Sequence, residues 1–272
     1  MEKYSVLMSL YIKEKPEYLT EAIESMVNQT LKPDEIIIVK DGPITFQLQE
    51  VLDHFTNRYP NLFNIIGYET NRGLGLALNF GLNHCKNDLV ARMDTDDISK
   101  LDRCEKQVLF FENHPEISIL GSAIDEFNGN INNITGRRVV PITSDEIYTF
   151  AKRRSAFNHP TVMYKKSDVL KFGGYDDLKR NQDVDLFGRM LYGGCLASNF
   201  ENSLLWFRAD DDLAKRRKSW ENSRSYINTI KKFWKMGYAS FVDYLVVAMG
   251  QSIMYICPIG LQKILYKKFL RS

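Results

Sequence analysis

Apolar positions in the first hundred residues come in two alternating patterns: short unbroken runs, and longer stretches with apolar residues three or four apart. The unbroken runs at 4–10, 35–39, 63–68 and 88–93 predict strands, and the β-branched stretch Ile36, Ile37, Ile38 and Val39 is the strongest of them. The spaced runs at 17–29 (Leu19, Ile23, Met26, Val27), 46–58 and 73–83 predict helices. Strands that are apolar at every position, not at every second one, must be covered on both faces. Alternation with helices therefore predicts a parallel sheet sandwiched between helical layers.

The second half is mixed. The pattern predicts a helix over 101–113, an extended segment over 117–127, an Asn/Gly-rich turn over 128–133 and a helix over 144–154. A short strand follows at 161–164, then a helical turn at 168–172 ending in Gly173-Gly174, and a helix at 183–192 closed by Gly193-Gly194. From about Trp220 onward the pattern is helical, amphipathic and basic, and 195–219 is left without an element.

A formal charge of +2 on 272 residues gives no reason to expect nucleic acid as a partner. Its distribution is more informative, with acidic residues concentrated around 94–102 and 176–185 and the last sixty residues basic. Cys85, Cys104, Cys195 and Cys257 show no Cys-x-x-Cys spacing, which fits a reducing compartment better than a zinc site or disulfide framework. The chain opens on charged residues and enters a strand directly, so no secretory leader is expected. The uncharged run 244–262 is long enough to span a bilayer, but Gly250, Gln251, Ser252, Pro258 and Gly260 make it a poor spanning helix.

In an open parallel sheet, ligands sit beyond the carboxyl ends of the strands. Ser9 and Tyr11, Asp41, and Asp94-Thr95-Asp96-Asp97 all fall at such ends, and are expected to line one crevice. Three carboxylates in four residues repel one another, and a hard divalent cation offsets that repulsion; Mn²⁺ or Mg²⁺ takes carboxylate and diphosphate oxygens. A solvated cluster capping the next helix is an equally ordinary use of the same residues. Asp41 stands before Gly42, where it can accept from a base N–H or simply form a turn. Gly73-Leu74-Gly75 lacks the third glycine of the dinucleotide fingerprint, Leu78 standing in its place. Asn71-Arg72-Gly73 then reads as a loop beside the donor.

Asp183 and Asp185 open the 183–192 helix about 200° apart, so one can face the cleft while the other caps the helix or meets solvent. A carboxylate near a bound diphosphate can serve as general base toward an acceptor hydroxyl. His159, before Pro160 and without a partner pattern, reads as a structural histidine, though its acid–base versatility keeps it a candidate.

As an ordered set these motifs resemble the inverting family 2 glycosyltransferases, especially those of bacterial capsule and exopolysaccharide (amylovoran-type) synthesis. The resemblance rests on Ser5 to Tyr11, on Gln29-Thr30-Leu31-Lys32-Pro33-Asp34-Glu35-Ile36 and on Asn71 to Asn79. It continues through Ala91-Arg92-Met93-Asp94-Thr95-Asp96-Asp97-Ile98, Asn158-His159-Pro160-Thr161, Gly173-Gly174-Tyr175, Asp183-Val184-Asp185-Leu186 and the basic terminus. It implies a GT-A fold: an α/β, Rossmann-like, mostly parallel central sheet flanked by helices, here with a C-terminal basic helical extension. Residues 1–100 would bind the nucleotide sugar, 101–215 the acceptor, and 216–272 would form a helical tail able to associate with a membrane.

Carried over by resemblance, Ser9, Tyr11, Asp41, Arg72, Asp94 and Asp96 would bind the donor, expected to be a UDP-sugar. Asp96 and Asp97 would hold Mn²⁺ or Mg²⁺, Asp183 would be the base, and Gly174, Asp185 and His159 would meet the acceptor. That acceptor is expected to be a lipid-linked saccharide at the inner face of the cytoplasmic membrane. Two departures stand out: Lys40 where the family has an acidic residue, and Gln182 where it has Glu. The basic groups 215–218, Lys231, Lys232, Lys235, Lys263, Lys267, Lys268 and Arg271 around the apolar run suit an anionic interface, or alternatively a solvated helical face. A nucleotidyltransferase and a non-catalytic sugar-nucleotide binder remain as rival readings; the first is disfavoured because 9–16 lacks a Gly-rich basic phosphate loop.

Overall fold

The computed structural model describes residues 1–209 and 219–257. The first half alternates as the apolar pattern requires: β1 (Tyr4–Leu10), α1 (Pro16–Val27), β2 (Glu35–Asp41), α2 (Phe46–Arg58), β3 (Phe63–Tyr68), α3 (Leu74–His84) and β4 (Leu89–Met93). These four strands pair in parallel in the order β3-β2-β1-β4. The reason for their unbroken apolar runs is visible in β1. Leu7 faces one core layer with Ile37, Val39, Leu78 and Leu82, while Val6, Met8 and Leu10 face the other with Leu19, Ile23, Leu48 and Leu52. Both faces of the strand are dry, so a polar residue on either would have to find a buried partner.

Beyond β4 the chain adds β5 (Ile98–Ser99), α4 (Arg103–Asn113), β6 (Ile117–Asn128), β7 (Asn130–Arg138) and α5 (Ser144–Ala151). A 3-10 turn at His159–Thr161 leads into β8 (Met163–Lys165), α6 (Lys166–Lys171), α7 (Gln182–Tyr192) and β9 (Leu196–Arg208). The sheet continues from β4 through antiparallel β8 to β6, then parallel β9 and antiparallel β5, with β7 hairpinned on β6. It is an α/β sheet, parallel through its donor-side strands and mixed beyond them, with helices on both faces.

Three expectations shift. The turn expected over 128–133 contracts to Gly129, which has φ 73°, and the chain then returns as β7. The strand expected at 161–164 starts later because Pro160 opens the 3-10 turn. Residues 196–208, left unassigned by pattern, form the long strand β9.

After β9 come α8 (Trp220–Lys235) and α9 (Phe241–Ile256), an antiparallel helical hairpin. Trp234 stacks on Tyr244 at 5.6 Å at one end, and Trp220 meets Tyr255 at 5.3 Å at the other. Ser240 and Asp243 form a capping box that starts α9, and Asp243 also pairs with Arg153 at 2.5 Å. No helix among the described residues is long and apolar enough to cross a membrane. The basic residues of 215–218 and of 258–272, and the end of the uncharged run, lie outside the described residues.

Candidate active site

β1, β2 and β4 end within about three residues of one another in register: Leu10 is opposite Lys40, and Met8 is opposite Met93. The polar residues that follow each strand therefore emerge along one rim. At β2, Asp41 is 4% exposed and fixes the following loop. Its Oδ1 accepts from Arg72 N–H at 2.7 Å, and its Oδ2 accepts from Gly73 N–H at 3.0 Å and Asn71 Nδ2 at 2.9 Å. A carboxylate offers about four acceptor positions; three are filled, and the buried Tyr68 hydroxyl, its pKa raised by burial and by Asp41, adjoins the fourth. Arg72 is exposed and lies over the Tyr68 ring, Ser9 is partly exposed at the end of β1, and Tyr11 is exposed just beyond it.

At β4 the carboxylate oxygens of Asp94, Asp96 and Asp97 come within 4.8 Å of one another. Asp94 pairs with Arg92, the arginine buried inside β4, and Thr95 donates to Glu14 at 2.6 Å. Asp97 accepts from the backbone N–H of Arg208 at 2.8 Å, and Arg208 Nε donates to the Asp96 carbonyl at 2.8 Å. The Arg208 guanidinium also pairs with Glu21 and lies 3.9 Å from the centre of the Tyr18 ring. Burial, followed by the charges of Asp94 and Glu14, pushes the Asp96 carboxyl up to about 7. Asp97 is raised well above the carboxylate range by burial and by both neighbouring aspartates.

The donor set fits a hard divalent cation. It is all oxygen, it is over-charged as it stands, and Asp97 Oδ2 is buried with no hydrogen-bond partner among the described residues. Asp96 and Asp97, with Asp94 beside them, are the residues that could hold the ion.

Asp183 stands in the first turn of α7. Asp183 is partly buried and raised from the ordinary carboxylate value chiefly by desolvation, with its own helix N–H groups, Arg92 and Arg138 opposing. The Arg92 charge acts on Asp94, Asp96, Asp97, Asp183, His159 and Tyr175 alike. Arg92 is thus the one charge felt by all six groups. His159 hydrogen-bonds through Nε2 to the Tyr175 hydroxyl at 2.9 Å; burial and Arg92 hold its pKa well below the usual value, so the ring is neutral near pH 7.

Two residues expected at the acceptor side serve the scaffold instead. Asp185 is fully buried on the opposite side of α7, between Arg189 at 2.8 Å and Lys232 at 2.7 Å, because two positions of helix turn it away from Asp183. Gly174, at φ 69°, lets the chain pass Asn79, whose Oδ1 would lie 2.4 Å from an added Cβ. The Asn79 amide clamps the backbone of Tyr175 at 2.8 and 2.7 Å. Motif reasoning missed Glu14, Arg92, Tyr175 and Arg208. Arg92 alone carried a signal, being a charge inside a strand that is otherwise apolar throughout.

This sheet, parallel through β3-β2-β1-β4, mixed beyond them and flanked by helices, has the GT-A fold. Solved structures share it at low sequence identity. A mannosyltransferase from Pyrobaculum calidifontis, in complex with GDP-Man and Mn²⁺, matches at TM-score 0.67 and 13% identity over 98% of this chain and 79% of that one. S. aureus TarS in complex with UDP matches at TM-score 0.60 and 18% identity over 97% and 86%. Residues 5–178 match the model of glycosyl transferase family 2, and the chain belongs to that family. An uncharacterized glycosyltransferase of Haemophilus influenzae is 41% identical over 99% of this chain and all of its own length. An Escherichia coli UDP-Gal:alpha-D-GlcNAc-diphosphoundecaprenol beta-1,3-galactosyltransferase is 36% identical over 99% and 97%. An amylovoran biosynthesis glycosyltransferase of Erwinia amylovora is 34% identical over 97% and 98%.

Proposed function

We propose that this glycosyltransferase moves a hexosyl group from a UDP-sugar to a hydroxyl of a lipid-linked saccharide, with inversion and with Mn²⁺ or Mg²⁺ bound. One observation carries the reading: three carboxylates cluster at the end of β4, and the charge of Arg92 in that strand acts on Asp183 as well as on them. The E. coli relative, similar over nearly its whole length and named for a UDP-Gal donor and a diphosphoundecaprenol-linked acceptor, supports the choice of donor and acceptor class. Such an acceptor keeps the enzyme at the inner face of the cytoplasmic membrane.

In this reading the half formed by 1–100 receives the donor. Asp41 accepts the base N–H, Tyr11 covers the ring, Ser9 and Arg72 flank the nucleotide, and Asp94 meets the ribose. A divalent cation held by Asp96 and Asp97 would supply charge neutralisation and Lewis acidity toward the diphosphate. Asp183 takes the proton of the acceptor hydroxyl as its oxygen attacks the anomeric carbon from the side opposite the leaving diphosphate. A partly desolvated carboxylate is a stronger base than an exposed one, which suits that transfer. Neutral His159 and the Tyr175 hydroxyl bound to it form the wall where the acceptor sugar enters.

The test is incubation of the full-length protein with individual UDP-sugars, Mn²⁺ and a sugar-diphosphate-lipid acceptor. The expected result is a single glycosidic product of inverted configuration from one donor, dependent on the ion. Absence of both transfer and metal-dependent donor hydrolysis across the UDP-, GDP- and dTDP-sugars would overturn the reading in favour of a binder that does no chemistry.

A further inference from the structure

The α8–α9 hairpin leaves one side unpaired. On α9, Val242, Leu245, Val246, Met249, Ile253 and Ile256 are each between 40 and 80% exposed. At about 100° per residue these six positions fall within an arc of roughly 100°, a single apolar stripe with no charge in it. The opposite side of α9 holds buried Asp243 and Val247, and Tyr244 and Tyr255 face α8. On α8, exposed Arg224, Asn228, Lys231 and Lys235 recur at helical spacing and form a second stripe. Buried Ser223, Ile230 and Phe233 point to the body, while Trp220 and Trp234 contact α9. Because the helices run antiparallel with their buried sides toward the same body, Lys231 and Lys235 come out beside the apolar stripe, while Arg224 and Asn228 also line a cavity with Asp176, Lys179 and Glu221.

Scattered exposed apolar residues need no explanation, but six in one uncharged stripe do. An apolar row bordered by cations matches an interfacial helix: the acyl boundary takes the first and anionic headgroups attract the second. A folded protein partner would need no such basic border. The remaining sequence, 258–272, continues the same chemistry with Lys263, Lys267, Lys268 and Arg271.

We infer that the outward side of the α8–α9 hairpin is the surface that rests on an anionic bilayer, α9 embedding its stripe in the plane of the interface without crossing it. The choice of a bilayer as occupant rests in part on the lipid-linked acceptor proposed above.

The full-length protein is sedimented with vesicles of phosphatidylcholine alone or mixed with phosphatidylglycerol. Wild type is expected to sediment with the anionic vesicles at low salt and to be released as the Debye length shortens to about 3 Å near 1 M salt. Val246→Glu with Ile253→Glu should lower partitioning at least tenfold, and Lys231→Ala or Lys235→Ala roughly fivefold each. All these side chains are exposed, so an unchanged melting midpoint separates lost binding from lost folding. Three results would overturn the inference: wild type that ignores anionic vesicles, a double-Glu variant that binds as wild type does, or a wild-type dimer that the double-Glu variant dissolves, which would give the stripe to a second copy. Donor hydrolysis read in parallel keeps the two proposals apart. Vesicle binding without hydrolysis leaves the surface standing and sinks the transferase reading, and hydrolysis without vesicle binding does the reverse.

Discussion

At the scale of single residues, Arg92 and Asp183 make the most exposed predictions. Asp183→Asn keeps size and hydrogen bonding but removes the basic oxygen. Transfer should fall by roughly 10²–10⁴-fold, the usual worth of a positioned base, while UDP affinity measured by calorimetry stays within about twofold. Near-normal turnover would remove Asp183 from the role. Arg92→Met deletes the counter-charge shared by Asp94, Asp96, Asp97 and Asp183. It should raise the pH at which activity appears, since those carboxylates would ionise less readily; an unmoved acid limb would contradict that. Cation affinity carries its own pH signature. Metal-free Asp96 titrates at about 7, above the ordinary carboxylate value, because of burial, Asp94 and Glu14. Below that pH an incoming ion must displace a proton, so Mn²⁺ affinity should fall about tenfold per pH unit, and more steeply if Asp97 also releases one. It should level off once both carboxylates are ionised. Calorimetry in buffers of different ionisation enthalpy reads the protons directly.

At the scale of elements, legibility tracked coverage. β1, β2 and β4 were readable to within about two residues because double coverage buries nearly every position, while β3, half-buried at the end of the sheet, was read from its short apolar run Ile65-Ile66 between Phe63 and Tyr68. β7 is exposed over most of its length and built from Asn, Thr, Gly and Arg apart from Ile131 and Ile134, whose spacing of three is not a strand period. β9 mixes buried and exposed positions with the polar stretch Ser198-Asn199-Phe200-Glu201-Asn202-Ser203, and its pairing with β6 is irregular. The site followed the same logic. Strand-end carboxylates were legible because local sequence places them, whereas Glu14 and Arg208 arrive by tertiary packing. Asp185 was misread toward the acceptor because its partner Lys232 lies on a helix 47 positions later, at a distance spacing cannot reveal. The α7–α8 contact gives an element-scale test. A Cβ on Gly188 would lie 2.0 Å from Phe233 Cζ, so Gly188→Ala should destabilise by about 1–3 kcal/mol in urea titration, although alanine is the better helix former. A stabilised variant would mean that α8 can move off α7 without loss.

At the scale of the whole molecule, the site's acidity connects binding with stability. A nucleotide and cation that bind only the folded chain should raise its melting midpoint together more than either alone. At a hundred times Kd the gain is about 2.7 kcal/mol. Asp96→Ala should abolish the cation's share while leaving a smaller nucleotide effect through Asp41. If thermal scans with UDP and Mn²⁺ moved wild type and Asp96→Ala equally, the ion would be bound elsewhere.

The hydrogen bond from Arg208 to Asp97 joins positions 111 apart, and Arg208 belongs to the last strand of the sheet. During synthesis the acidic loop therefore leaves the ribosome long before the backbone that completes it. Until β9 docks, a buried aspartate lacks its amide donor and the neighbouring carboxylates lack the Arg208 charge. The nascent chain should thus acquire its competence for nucleotide sugars late and in one step, and a fragment stopped before β9 should be inert however well its first four strands have formed.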